Sequence, residues 1–218
     1  MNKPVSDELI HFNHGFIVFD LETTDDENNR RIIQVGAIKL DPWLQIEGTF
    51  YRLVNPEVEV SDFVLELTGT RKEELDKAFT IEKVVSEFEA WVGNIKKQRL
   101  AAWGNYFDIN VLRNEYKRIN RPYPFSGTVL DVKTLALTYL AISGQRTDKK
   151  CSLQGVVENL GLSTSNDNAE HRDTYHDAHF DAWQTARVLK ELLPMFKSSV
   201  WFNKQRFLVN QPKQKAGH

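Results

Sequence analysis

The nine residues FIVFDLETT, at positions 16–24, constrain the fold of this chain more than any other stretch. Four apolar residues lead into Asp20, one residue is skipped, and Glu22 follows. Since successive side chains of a strand point to opposite faces, Asp20 and Glu22 share one face at the end of a buried strand. Two carboxylates held this close repel each other, and a divalent cation such as Mg²⁺ or Mn²⁺ relieves the repulsion. A solvated turn after a strand is the alternative, and this motif alone does not exclude it.

Composition and charge place the chain among globular proteins. Its 218 residues are 41% hydrophobic and 27% charged, which suits one domain with a sizeable core. The single cysteine, Cys151, excludes an internal disulfide and fits a reducing compartment. No apolar run reaches membrane-spanning length and the N-terminal residues lack a signal-peptide core, so a cytoplasmic protein without membrane association is expected. The net charge of −2 argues against a protein that coats nucleic acid through its overall charge. It does not exclude binding of nucleic acid through local basic patches.

Hydrophobic periodicity predicts an α/β domain within residues 15–196. Strands are predicted at residues 16–20, 31–40, 46–54, 99–103 and 129–130, and helices at 81–95, 107–119, 131–142, 152–162 and 177–193. Short connections make the first three strands antiparallel, and the later alternation of helix and strand implies a mixed five-stranded sheet with helices on both faces. Residues 1–14 are interpreted as an N-terminal extension. Pro194 is expected to end the last helix, and residues 197–218 to form a basic, aromatic C-terminal tail.

A second acidic position, Asp108, follows the predicted strand at 99–103 and opens the next helix. The start of a helix carries partial positive charge and favours a carboxylate, so Asp108 is either a simple helix cap or part of the acidic site. Asp131 has the same place before the following helix, and there the cap interpretation is preferred. Carboxylates at strand ends and helix starts can meet at one edge of a sheet.

The segment YHDAHFDA, residues 175–182, supplies a third motif. His176 and Asp181 are five residues apart, so on one helix they would lie about 140° apart and could not share a face. With Asp177 as the helix N-cap, His176 stays in the preceding loop and can turn towards a site that Asp181 helps to build. His179 is interpreted as a packing or surface histidine rather than a catalytic one.

Together the three motifs resemble those of the DEDDh 3′–5′ exonucleases, the DnaQ-like group with an RNase H-like fold. D-x-E in FDLETT supplies Asp20 and Glu22, F-D in WGNYFD supplies Asp108, and H-x4-D-A supplies His176 and Asp181. The resemblance spans about residues 15–195. Within the group, the elements IIQVGAIKLD, VNP, LTG and WGN are most similar to the Eri-type ribonucleases. The stretch DDENNRR after LETT and the pair Trp103-Gly104 depart from the proofreading branch.

The resemblance implies a two-metal phosphodiesterase site. Its four metal ligands would be Asp20, Glu22, Asp108 and Asp181. Two Mg²⁺ or Mn²⁺ ions held there would clamp the attacking and leaving oxygens of the scissile phosphodiester. His176 would be the general base, and the products would be nucleoside 5′-monophosphates. The residues that seat the terminal nucleotide would be Thr23, Leu67 and Phe107.

The partner expected from this resemblance is the 3′ end of single-stranded RNA or DNA, with RNA favoured. One alternative is a DNA proofreading or repair exonuclease that works with a polymerase. Another is a non-catalytic nucleic-acid-binding module on the same scaffold, since a fold alone does not determine function. The motifs do not identify the physiological substrate, the preferred metal, a protein partner or the oligomeric state.

Overall fold

Five strands form one sheet in the computed structural model, which describes residues 12–104, 106–144, 151–162 and 174–209, the last range with side chains to residue 196. The strands are β1 (Gly15–Thr23), β2 (Ile32–Leu40), β3 (Ile46–Leu53), β4 (Gln98–Ala102) and β5 (Leu130–Asp131). Their order across the sheet is β3-β2-β1-β4-β5. β2 is antiparallel to both β1 and β3, whereas the β1–β4 and β4–β5 pairs are parallel. The predicted mixed sheet, with three antiparallel strands first, is confirmed.

Seven α-helices accompany the sheet within the described residues. They are α1 (Asp62–Thr68), α2 (Lys72–Lys77), α3 (Ile81–Val92), α4 (Tyr106–Arg118), α5 (Val132–Ile142), α6 (Leu153–Asn159) and α7 (Ala178–Val209), and a 3₁₀ turn covers Ile95–Lys97. The five predicted helices are α3 to α7. The sequence pattern does not indicate α1 and α2, which are too short to show a clear helical period.

The two faces of β1 pack against different helices. Ile17, Phe19 and Leu21 are buried in a core that includes residues of α3 and α4. Phe16 and Val18 are buried on the other side, in a core that includes residues of α5, α6 and α7. Because side chains alternate along a strand, Asp20 and Glu22 lie on the same face of β1 as Phe16 and Val18. This is the face of the sheet that packs against α7.

The predicted end of the last helix is wrong. α7 does not stop before Pro194 but continues from Ala178 to Val209. A proline inside a helix removes one main-chain hydrogen bond and costs about 3 kcal/mol. Leu189 and Leu192 before the proline, and Phe196 after it, pack against the same core and offset this cost. The tail predicted from residue 197 therefore begins inside a helix, and the division of the chain at that point stays a prediction.

Two other predicted segments lie largely outside the described residues. They are the N-terminal extension, of which only residues 12–14 are described, and the end of the C-terminal tail beyond residue 209. Within the described parts of the chain, each helix is either too short or too polar to span a lipid bilayer.

Candidate active site

The first acidic motif lies where β1 extends beyond its neighbour β4. β4 pairs with β1 only from Gly15 to Val18, which leaves the edge of the next residues of β1 open on that side. Asp108, in the first turn of α4, occupies this edge, and its Oδ1 accepts a hydrogen bond of 3.2 Å from the main-chain N–H of Leu21. Asp108 is only 4% exposed. Because Leu21 lies between Asp20 and Glu22, this hydrogen bond holds Asp108 next to both acids of β1.

The third motif forms the start of α7. Asp177 caps the helix, because its Oδ1 accepts hydrogen bonds of 3.0 Å from the main-chain N–H groups of His179 and Phe180. His176 lies in the preceding loop with a positive φ of 67°, and its main-chain N–H donates to Oδ2 of Asp181 at 3.1 Å. Asp181 is in the first turn of the helix. This placement of His176 and Asp181 is the one that their spacing predicts.

Two residues of β2 allow the start of α7 to approach the sheet. Gly36 is the partner of Asp20 in the β1–β2 register. A Cβ atom on Gly36 would lie 2.1 Å from the carbonyl oxygen of Ala178, so the approach requires glycine. Gln34 is buried, and its Oε1 accepts a hydrogen bond of 3.0 Å from the N–H of Ala178. Neither residue belongs to the three acidic motifs, although both lie in the IIQVGAIKLD element and a glycine inside an apolar strand is itself a sign of close backbone contact.

Side chains from all three motifs meet in one acidic cluster. Glu22, His176 and Asp181 each offer one possible metal-ligating atom, and these three atoms all lie within 4.8 Å of one another. Asp20 belongs to the same cluster, because its charge interacts with those of Asp108, Asp181 and Glu22. The fold therefore brings together Asp20, Glu22, Asp108, His176 and Asp181 from three distant stretches of the sequence, and we refer to these five residues as the acidic cluster.

Burial and mutual repulsion change the acidity of these carboxyls. Burial, followed by the charge of Asp108, raises the pKa of Asp20 well above its ordinary value. Burial, followed by the charge of Asp181, raises the pKa of Glu22 to about 8. Burial raises the pKa of Asp108 and of Asp181 to about 7, although each accepts a main-chain hydrogen bond that lowers it. A site with four such acids favours bound positive charge.

The donor set fits a hard divalent cation. Oδ1 of Asp181 is buried and has no hydrogen-bond partner among the described residues. A buried carboxylate oxygen in this position costs free energy unless a cation or a proton satisfies it. Hard divalent cations prefer oxygen ligands, and four carboxylates supply them here. The residues present therefore suit a divalent metal ion.

Two other candidates from the sequence have structural roles. His179 is 2% exposed, and its ring meets that of Tyr51 edge-on with 6.2 Å between the ring centroids. Oδ1 of Asp131 accepts hydrogen bonds from the main-chain N–H groups of Lys133 and Thr134, at 3.0 and 3.3 Å. His179 is therefore a packing residue and Asp131 a helix cap, as their sequence contexts predict.

The three residues predicted to seat the terminal nucleotide come from three elements. Thr23 ends β1 and directly follows the first acidic motif. Leu67 in α1 and Phe107 in α4 are 41% and 39% exposed, so both apolar side chains are available to a ligand. The guanidinium of Arg30 lies 4.9 Å from the centre of the Phe107 ring. The joint role of these residues stays a prediction.

A family model covers all three motifs. The RNase_T model, described as exonuclease, matches residues 17–209. The chain belongs to this exonuclease family. The DEDDh exonuclease assignment that the motifs indicate is confirmed, whereas the roles of the individual residues of the acidic cluster stay predictions.

Sequence relatives of this RNase_T domain include much longer DNA polymerases. The PolC-type DNA polymerase III of Thermotoga maritima is 31% identical over 201 residues, which is 89% of this chain but 13% of the polymerase. The PolC-type enzyme of Clostridium perfringens is 31% identical over 180 residues, which is 82% of this chain and 11% of that protein. The chain therefore spans only a small part of the length of these curated relatives. Its placement in the Eri-type branch stays a prediction.

Solved exonuclease structures share the fold of this RNase_T domain. The nuclease domain of 3′hExo, a DEDDh family member bound to rAMP, has a TM-score of 0.69 at 22% identity and covers 84% of this chain and 93% of that domain. Exonuclease I has a TM-score of 0.71 at 18% identity and covers 87% of this chain and 43% of that protein. At these identities the likeness shows the fold alone, and it confirms the predicted RNase H-like architecture.

Proposed function

We propose that this chain is a 3′–5′ exonuclease that hydrolyses single-stranded nucleic acid to nucleoside 5′-monophosphates. One observation carries the proposal: donor atoms of Glu22, His176 and Asp181 meet within 4.8 Å, beside Asp20 and Asp108. Hydrolysis of a phosphodiester needs a positioned nucleophile, stabilisation of charge on the phosphate oxygens and a proton acceptor. Carboxylates that hold divalent cations, with an imidazole beside them, supply all three.

The four carboxylates would hold two Mg²⁺ or Mn²⁺ ions. Asp20, Glu22 and Asp181 would bind one ion, and Asp20 would share the second with Asp108, which acts partly through water. When bound, a pair of such ions stabilises the charge on the attacking and leaving oxygens. The main-chain hydrogen bonds that Asp108 and Asp181 accept orient both carboxylates before a substrate arrives.

His176 would act as the general base. Its side chain is exposed, whereas that of His179 is buried, so His176 is the histidine that can meet both water and a substrate. Imidazole exchanges a proton readily near neutral pH. His176 would take the proton from the attacking water while the oxygen of that water bonds to phosphorus. The bond from phosphorus to the 3′-oxygen of the penultimate nucleotide would then break, and the released oxygen would take a proton from solvent. The main-chain hydrogen bond to Asp181 keeps His176 beside the carboxylates during this step.

The terminal nucleotide would bind between apolar side chains next to the acidic cluster. Leu67 and Phe107 expose large parts of their side chains, and each can cover one side of a base or sugar. The main chain near Thr23 directly follows Glu22, so it can position the 3′ end of the strand close to the carboxylates. These contacts would select a free strand end, because only an end can enter the site that far.

RNA and DNA are both candidate substrates. The Eri-type motifs favour RNA, which we retain as the first candidate. The second candidate function is DNA proofreading or repair in association with a polymerase. The identity of 31% to a PolC-type DNA polymerase III over 89% of this chain favours it. A protein distinguishes the two sugars through contacts to the 2′-hydroxyl, so a direct comparison of substrates is needed.

The test uses 5′-labelled single-stranded RNA and DNA of one sequence, incubated with the protein and Mg²⁺, Mn²⁺ or EDTA. A ladder that shrinks from the 3′ end, and that EDTA and the Asp181→Ala substitution both abolish, would support the proposal. The sugar that is degraded faster identifies the preferred substrate. Activity that persists in EDTA would overturn the proposal. Metal-independent binding without any product would instead favour the non-catalytic binding module.

A further inference from the structure

A groove lies on the exposed side of α4, the helix that carries Asp108 in its first turn. It consists of two cavities of about 450 and 420 Å³. The first opens between α4 and the connection from β1 to β2, and the second opens between α4 and residues 127–129. Tyr106 and Asn110 line both cavities, so the two adjoin across the first turns of α4. We refer to the two cavities together as the α4 groove.

Tyr106 stands in the middle of the α4 groove with 82% of its surface exposed. Among the described residues it is the most exposed large hydrophobic side chain. Its ring is therefore not needed for packing and is available to stack with another planar group. Tyr106 precedes Phe107, which lines the first cavity, and Phe107 precedes the buried Asp108 of the acidic cluster. The α4 groove therefore includes the residue that directly precedes Asp108 in the chain.

The charge of the α4 groove is opposite to that of the acidic cluster. Arg30 and Arg31 line the first cavity together with one acid, Glu27, and Arg113 lines the second, so cations outnumber acids among the lining residues. Arg30 has an ion-pair contact of 3.7 Å to the highly exposed Glu27, a kind of pair that contributes little and that a phosphate can displace. The guanidinium of the exposed Arg113 lies 5.3 Å from the centre of the Tyr123 ring. Asparagine side chains of the β1–β2 connection and of α4 add amide groups between these cations.

We propose that the α4 groove binds the nucleotides of a single strand upstream of the scissile bond, with Tyr106 stacking on a base and Arg30 and Arg113 contacting phosphates. This inference rests on the proposed function, because it concerns the strand that the acidic cluster would cut. A single strand exposes both base faces and regularly spaced phosphates, which match one ring flanked by cations. Because every base can stack, the groove adds affinity for longer strands without reading their sequence.

Substrates of two lengths distinguish binding in the α4 groove from reaction at the acidic cluster. The p-nitrophenyl ester of thymidine 5′-monophosphate has a terminal nucleotide and one cleavable phosphodiester but nothing upstream. A single-stranded decanucleotide of the preferred sugar would extend along the groove. For Tyr106→Ala we expect KM for the decanucleotide to rise about tenfold, the scale of one lost base stack, and KM for the ester to change less than twofold. Tyr106→Phe should restore the decanucleotide KM, since the ring remains.

Binding provides a second measurement that does not depend on cleavage. Fluorescence anisotropy of the labelled decanucleotide, measured with the uncleaving Asp181→Ala protein, should show a similar loss of affinity when Tyr106→Ala is added. Arg113→Ala should reduce the slope of log affinity against log salt by about one, as expected for one lost phosphate contact. The matched control is Trp43→Ala, because Trp43 is an aromatic residue with 45% exposure in the turn after β2, far from the acidic cluster.

Two results would overturn the inference. One is an unchanged KM and affinity for the decanucleotide in Tyr106→Ala, and the other is an equal loss on decanucleotide and ester. Failure of the unsubstituted protein to cleave either substrate would contradict the proposed function instead. In that case the anisotropy measurement still decides whether the α4 groove binds a strand.

Discussion

The side-chain oxygen of Gln34 in β2 accepts a hydrogen bond of 3.0 Å from the main-chain N–H of Ala178, at the start of α7. Nε2 of Gln34 donates to the hydroxyl of Thr70, just beyond α1, at 2.6 Å. Gln34 is 1% exposed. One buried side chain therefore connects the sheet to the helices that carry Asp181 and Leu67.

Replacement of Gln34 by methionine should weaken this connection while keeping the volume of the side chain. The buried N–H of Ala178 would lose its acceptor, so the free energy of unfolding should fall by about 2 kcal/mol in urea titrations. Turnover should fall as well, because the start of α7 positions Asp181. Gln45→Met, in the exposed turn after β2, is the control and should behave like the unsubstituted protein. Equal stability of the two variants would show that the Gln34 hydrogen bonds contribute nothing.

Gly36→Ala should be much more damaging than Gly48→Ala. A Cβ at Gly36 would meet main-chain atoms of Ala178 and His179 at 2.1–2.4 Å, whereas at Gly48 the nearest atom lies 3.5 Å away. Main-chain atoms cannot rotate aside, so the start of α7 must move. We expect Gly36→Ala to lose at least about 2 kcal/mol of unfolding free energy, together with exonuclease activity. Thermal unfolding and turnover of both variants provide the check, and similar behaviour would argue against the close approach.

Asp181→Ala removes a proposed metal ligand and should abolish turnover with either Mg²⁺ or Mn²⁺. Its folding should survive, because the lost carboxylate is one of several that repel one another. Asp76→Ala, in the exposed surface of α2, is the matched control. Calorimetric titration with Mn²⁺ should show weaker binding for Asp181→Ala only. Near-normal activity of this variant with Mg²⁺ would refute the site.

His176→Asn should lower turnover by about 10²- to 10⁴-fold, the usual scale for loss of a general base, with substrate binding largely kept. Asparagine tolerates the positive φ of this position, so the main-chain hydrogen bond to Asp181 should remain. The comparison variant is His179→Asn, measured for both turnover and stability. If that variant loses the activity and His176→Asn does not, His179 and not His176 is the base.

In the absence of divalent cations, stability should decrease as the pH rises from about 5 to about 8. In an unfolded chain such acids ionise near pH 4. Folding raises the pKa of Glu22 to about 8 and that of Asp108 and of Asp181 to about 7. Between the unfolded pKa near 4 and the folded pKa of about 7 to 8, the folded state binds more protons than the unfolded state. The free energy of unfolding therefore falls as the pH rises through this range. Urea titrations in EDTA at both pH values measure the difference.

A variant and a metal addition test the cause of this pH dependence. Glu22→Gln cannot ionise and should be more stable than the unsubstituted protein at pH 8 in EDTA, with little difference at pH 5. Mg²⁺ or Mn²⁺ should raise the stability of the unsubstituted protein at pH 8, since a ligand bound only by the folded state stabilises it. Stability in EDTA that rises between pH 5 and pH 8 would contradict repulsion among these acids.

Local patterns were sufficient to predict most of the secondary structure, and they failed where distant packing decides. The helical period of the apolar residues locates α3, and alternation locates β3. Pro194 is normally a reason to end a helix, yet the helix continues because side chains on both sides of the proline pack against one core. The short helices α1 and α2 have no clear period and need their contacts with the sheet.

The sequence by itself determined the chemistry of this protein: which carboxylates and which histidine are present, and which of them share a strand or flank a helix start, because these properties follow from residue type and local spacing. The tertiary structure alone decided that Asp108 reaches the main chain of Leu21, 87 positions away, and that Gly36 and Gln34 hold the start of α7 against the sheet. Such contacts depend on how remote elements pack together, and packing has no local period that a sequence can display.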